Sequence, residues 1–138
     1  MNFEYPMTIT SCEEGGYFVQ FVDIEEAFTQ GESIEECVFN AAEVLSAILE
    51  CRLENNDEIP EPSKGDYEYK VPPTASIQAA LLIRATRQDK TIAEVARALN
   101  TSWPAAQRLE NPKHSPTLRQ LERAVNALGK RLVLSVTD

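Results

Sequence analysis

The chain has 138 residues, room for one compact domain or two small ones. Its formal charge of −9 and sequence pI near 4.6 set the molecule as a whole against polyanions and toward basic partners. No stretch reaches the roughly 20 apolar residues that cross a bilayer, and the N-terminus lacks the basic-then-apolar pattern of a secretory signal, so a cytoplasmic protein without a membrane partner is expected.

In chain order, "YPMTIT" (Tyr5–Thr10) and "YFVQFV" (Tyr17–Val22) are short runs rich in aromatic and β-branched residues. Between them "CEEGG" offers two glycines that tolerate positive φ, a hairpin signal. "EAFTQG" (Glu26–Gly31) supplies a third strand. Ser33 with Glu36 three residues on forms a capping box, and Glu35 and Glu36 suit the positive end of a helix dipole. Ile34, Val38, Ala41, Leu45 and Ile48 then recur at helical spacing, which predicts one amphipathic helix over about 34–54 packed on the sheet. Cys37 and Cys51 flank that stripe and are read as small buried hydrophobes. The odd cysteine count without a C-x-x-C pair fits reduced thiols. "IPEPSKGD" (Ile59–Asp66) is a turn-rich connection, and "YEYKV" (Tyr67–Val71) returns as an edge strand. Pro72-Pro73 ends that strand and starts a short linker.

Beyond the prolines, "TASIQAALLIRATRQD" carries Ile77, Ala80, Leu81, Leu82 and Ile83 on one widened apolar face. Thr91 and Glu94 form a second capping box, and Val95, Ala96 and Leu99 point inward. Asn100 suits a left-handed chain reversal, Ser102 can cap the next helix, and Pro104 is tolerated near its start. Ala106 and Leu109 face in, whereas Gln107, Arg108 and Asn111 face out. Two short helices joined this tightly are the arrangement that places a helix in the DNA major groove. A last helix starts near Thr117, with Leu118, Leu121, Ala124, Val125 and Leu128 as its stripe and Gly129 as its stop. "RLVLSV" (Arg131–Val136) reads as a closing strand; a lone strand needs a partner, either the sheet of the first half or its copy in a second subunit, and the second is favoured.

Charge divides the chain at the same prolines. Residues 1–72 hold seventeen Asp and Glu against Arg52, Lys64 and Lys70, a balance of −14; residues 73–138 hold ten Lys and Arg against five acids, a balance of +5. Two domains facing different partners are therefore expected, 1–72 and 73–138. Asp23, Glu25 and Glu26 lie close together, and metal-dependent nucleases use carboxylates. Acids that are neighbours in sequence do not converge by spacing, however, and this half has no histidine. Neither a catalytic residue, a metal site nor a cofactor is expected, and His114 has no clustered partner.

The run E-V-A-x-x-L-x-x-S, then R-L-E-N, then S-P-T-L-x-x-L-x-x-A-x-x-A-L-G makes Ile92–Gly129 resemble the helix-turn-helix of phage repressors of the Cro/CI type. Asn100 stands where a glycine is usual, and Trp103-Pro104-Ala105 replaces polar residues common at the start of the recognition helix. With "YPMTITSCEEGGYFVQFVDIEEAFTQGESIEECVFNA", most of the chain resembles the HicB family of antitoxins. The resemblance implies an α+β fold. A truncated, catalytically dead ribonuclease H-like β-β-β-α-β domain would precede an all-α helix-turn-helix domain with a C-terminal strand. It further implies two partners, a HicA-type toxin (a small RNase with a double-stranded-RNA-binding-like fold) and the operon's own promoter DNA, bound by a homodimer or tetramer.

Under that reading Glu13, Glu14, Asp23, Glu25 and Glu26 are candidate toxin contacts, since an acidic surface competes with RNA for a cationic enzyme. Arg87, Lys90, Thr91, Ser102, Lys113 and His114 sit near helix starts or loops, where phosphates would lie. Trp103, Gln107 and Arg108 are placed for base edges. A competing expectation is a stand-alone repressor whose first domain senses a ligand; no Gly-rich phosphate loop marks such a site in residues 1–72.

Overall fold

A computed structural model describes residues 2–138. Three strands, β1 (Tyr5–Ser11), β2 (Tyr17–Phe21) and β3 (Phe28–Gly31), lead into helix α1 (Ile34–Glu54), followed by β4 (Tyr69–Val71). The strands form one antiparallel sheet in the order β3-β2-β1-β4. Gly15 and Gly16 turn the β1–β2 hairpin at φ 101° and 74°, the conformation for which their lack of a Cβ is needed. Four helices complete the chain: α2 (Ala75–Arg87), α3 (Ile92–Leu99), α4 (Trp103–Arg108) and α5 (Leu118–Ala127).

The contacts divide the chain into two compact units, one ending at Gln78 and one starting at Ala79, so the division falls inside α2 rather than before Pro73. The short connection at Pro72-Pro73 is tied down. Pro73 is buried, Thr74 N–H donates to Ser46 Oγ at 3.0 Å, and that hydroxyl donates to the Ala42 carbonyl at 2.7 Å.

In the first unit, α1 lies on one face of the sheet. Its buried line is Cys37, Ala41, Leu45 and Leu49, at steps of four, set against Tyr5, Met7, Val19 and Phe21 of the strands. The expected stripe is thus rotated: Ile34, Val38 and Ile48 are only half-buried, and Cys51 is exposed rather than a core residue. Ser33 caps the helix by accepting from Glu36 N–H at 3.1 Å, which is half of the expected box. The end of β3 meets the first turn of α1 so closely that a Cβ on Gly31 would lie 2.9 Å from both the Cys37 nitrogen and Sγ. The long connection after α1 is pinned at three points. Arg52 Nη1 donates to the Glu58 carbonyl, buried Tyr5 donates its hydroxyl to the Pro60 carbonyl at 2.7 Å, and Ser63 donates twice to Asp23. Burial, with Asp23 as a second cause, pushes the Tyr5 phenol up to about 12, so it remains a donor.

In the second unit, Ile83, Val95, Ala96, Leu99, Ala106, Leu121, Ala124, Val125 and Leu128 form one core. Ala96 and Ala106 let short helices approach closely. The Thr91–Glu94 box is complete, and Thr117 with Gln120 forms another at α5. Asn100 adopts the left-handed conformation (φ 52°, ψ 50°) that turns α3 toward α4, and Ser102 caps α4. Gly129 at φ 82° lets Lys130 N–H return to the Val125 carbonyl at 3.1 Å.

One expectation fails here. Leu118 is 65 % exposed, because the first residue of α5 faces outward and the inward line starts at Leu121. Among the described residues, 131–136 pair with no strand of their own chain, and Val133, Leu134 and Val136 are exposed, which leaves the favoured pairing with a second subunit.

Candidate functional site

Glu13 and Glu14 occupy the β1–β2 turn and are exposed. Asp23, Glu25 and Glu26 share the loop between β2 and β3, but their surroundings differ. Asp23 is half-buried and accepts both Ser63 bonds, so it serves the fold. Glu26 accepts from Arg52 through Nη2 at 2.5 Å and Nε at 3.2 Å, and this guanidinium lowers its pKa. Glu25 is exposed; its backbone carbonyl, with those of Phe21, Ile24 and Ala27, accepts from Gln20 Nε2, which holds the loop in shape.

Sequence reasoning missed the open face of this sheet. Direct pairing places Thr10 opposite Phe18, Phe18 opposite Gln30, Thr8 opposite Gln20 and Gln20 opposite Phe28, all on the side away from α1. Phe18 and Phe28 are 41 % and 53 % exposed, and their ring centroids lie 6.0 Å apart. None of these six positions carries a charge, in a unit with seventeen carboxylates. The signal was present in "YFVQF", where four apolar residues in five cannot all face one side of a strand.

In the second unit the exposed candidates are Lys90, Thr91, Ser102, Trp103, Gln107, Arg108, Lys113 and His114. Trp103 opens α4 with 48 % exposure, and Gln107 and Arg108 end that helix on the solvent side. Thr91 and Ser102 hydroxyls serve as caps. Arg87 is used differently: Nε meets Glu110 Oε2 at 2.6 Å, both side chains are largely covered, and Nη1 donates to the Lys90 carbonyl. It locks the end of α2 to the segment after α4 and does not present itself to a phosphate.

Among the described residues no group of three His, Cys, Asp or Glu is arranged to hold a metal ion, and no helix is long and apolar enough to cross a membrane. Comparison with known proteins decides the family. The model for the HicB-like antitoxin of bacterial toxin–antitoxin systems matches residues 4–75, which span the sheet, α1 and the start of α2. The chain belongs to the HicB-like antitoxin family. Antitoxin HicB of Escherichia coli K12 is 36 % identical over 133 residues, covering 94 % of this chain and 96 % of that protein. Antitoxin HicB 1 of Photorhabdus laumondii is 33 % identical over 136 residues, covering 98 % and 88 %. Antitoxin HicB 2 of the same organism is 35 % identical over 134 residues, with 96 % of each covered. An antitoxin's role is non-enzymatic, and these relatives do not favour a ligand-sensing stand-alone repressor.

Proposed function

We propose that this antitoxin neutralises a HicA-type mRNA-cleaving toxin by covering its active site, and represses its own operon by binding promoter DNA. The observation that carries the reading is electrostatic: the unit ending at Gln78 has a balance of −14 and the unit from Ala79 a balance of +5. A toxin that grips RNA must present positive charge, and an acidic protein both steers toward it and displaces its polyanion. The first unit acts as a truncated ribonuclease H-like domain without catalysis. Its contact with toxin centres on the open sheet face. Phe18 and Phe28 are the apolar anchors, and Glu13 and Glu14 at one end and Glu25 at the other are the acidic rim, the usual anatomy of an interface hot spot.

The second unit acts as a helix-turn-helix with α3 as the supporting helix and α4 as the reader. Trp103, Gln107 and Arg108 face base edges; Lys90, Thr91, Ser102, Lys113 and His114 meet the backbone. Residues 131–136 become a strand only on pairing with the same segment of a second chain, which supplies the missing hydrogen-bond partners and places two readers on a symmetric operator. Two such dimers can join into a tetramer.

Co-expression with the neighbouring reading frame tests the first half: rescue of growth arrest and a complex that weakens with salt are expected, and a complex indifferent to salt removes the electrostatic part. Gel shift on the protein's own promoter tests the second half, with no retardation as the contrary outcome.

A further inference from the structure

Within the second unit a cleft of about 340 Å³ opens between α4, the loop that follows it and α5. That size lies at the lower end of small-ligand sites, about 300–1,000 Å³. Its polar lining consists of Thr101, Arg108, His114, Ser115, Gln120 and Arg123, and Leu99 and Leu109 contribute to its apolar wall. In a chain with 22 acidic residues, none lines this cleft.

The local bonding sets what the polar groups can offer. Gln120 Oε1 is already used, accepting from Thr117 N–H at 2.9 Å in the α5 capping box, so the part of that amide left over is the donor Nε2. Arg123 is anchored by one bond, Nη2 to the Leu99 carbonyl at 3.0 Å, which fixes the guanidinium while leaving its other N–H groups. Two guanidiniums and an amide donor with no competing carboxylate form a surface complementary to an oxyanion, and arginine forks match phosphate in particular.

We propose that this cleft is a phosphate site, with Arg123 and Gln120 as its binding residues. Its occupant is a phosphate group, either of the backbone of duplex DNA or of a free phosphorylated molecule. The site does not depend on base reading, since phosphate binding is measured on the protein alone.

The experiment is a titration of the full chain with inorganic phosphate at constant ionic strength, followed by backbone and side-chain amide NMR. Saturable shifts at Gln120, Arg123 and the loop around His114 are expected. Gln120→Glu keeps the acceptor the capping box needs and puts a carboxylate where the amide donor stood, so the variant folds while its phosphate half-saturation rises at least about tenfold, the equivalent of about 1.4 kcal/mol. Arg123→Lys, which keeps the charge but loses the fork, gives an intermediate loss. Shifts no different from those of matched chloride, or a folded Gln120→Glu that binds phosphate like the native chain, overturn the proposal. Repeating the titration with a saturating random-sequence duplex separates the sources. Exclusion of phosphate assigns the cleft to the DNA backbone, and coexistence assigns it to a free phosphorylated molecule. If the duplex itself is not bound, the DNA-binding reading fails while the phosphate site stands.

Discussion

Up to Gln78 the chain carries seventeen carboxylates and three basic residues; from Ala79 onward it carries ten basic residues and five carboxylates. Each half nevertheless ties a loop to a helix with an Arg–Glu pair, Arg52–Glu26 in the first and Arg87–Glu110 in the second. The two pairs differ in solvent access: Glu26 is about half exposed, whereas Arg87 and Glu110 are largely covered. In each pair one partner carries the minority sign of its unit, Arg52 in the first and Glu110 in the second. Net charge therefore describes what each unit can meet, and the individual pairs describe what holds it together. Asp23 and Arg87 illustrate the difference, since both carry the majority sign of their unit and both are engaged by the fold.

The sharpest way to break this comparison is to remove the uncharged contact surface from the charged unit. Phe18→Ala with Phe28→Ala should lower affinity for the toxin by at least about 2 kcal/mol, roughly thirtyfold, as expected for central aromatic anchors. DNA retardation by the same protein should not change. Calorimetric titration against the purified toxin measures this, and unaltered affinity would move the interface away from the sheet face.

Next in size is the covered pair of the second unit. Glu110→Gln leaves Arg87 with its charge but without its carboxylate, and should cost about 1.5–3 kcal/mol of stability by urea denaturation. If Arg87 instead served phosphate, Arg87→Ala would reduce DNA binding without reducing stability. For reading as opposed to positioning, Arg108→Ala should lose about 1–3 kcal/mol of discrimination between operator and random duplex. Lys90→Ala should weaken both duplexes alike and reduce the salt dependence of binding. Equal losses on both duplexes for the arginine variant would remove it from the base-reading set.

The smallest effect belongs to the exposed pair. Glu26 has a lowered pKa in the folded state because of the Arg52 hydrogen bonds, so its contribution is complete above the ordinary glutamate value. That value is about 4.3, and the contribution fades as the pH falls through the lowered folded value. Glu26→Gln should therefore cost no more than about 1 kcal/mol at neutral pH, and the two proteins should converge in acid. A gap that persisted in acid would mean that the carboxylate charge is not its source.

Much of the fold was legible because local chemistry dictates it. Gly15-Gly16 mark the hairpin, Ser33 and Glu54 bound α1 where periodicity puts them, and the Thr91–Glu94 box and Asn100 set the ends of α3. Legibility failed where a partner lies far along the chain. Ser63 reaches Asp23 across 40 residues and Arg87 reaches Glu110 across 23, and neither spacing leaves a periodic trace. The rotation of the α1 stripe toward Cys37 and Leu49 reflects the sheet it meets, in particular the close approach at Gly31.

The amino-acid order by itself determined the caps, turns, helix lengths and the division of charge, because each depends on neighbours within about one or two turns of chain. It also carried the family resemblance that the relatives bear out. Tertiary structure alone decided which charged side chains remain available and which face of the sheet stays open. It also decided that residues 131–136 find no strand partner among the described residues of one chain. Those outcomes depend on surfaces brought together from distant segments, where burial and long-range hydrogen bonds select among side chains that look equivalent in sequence.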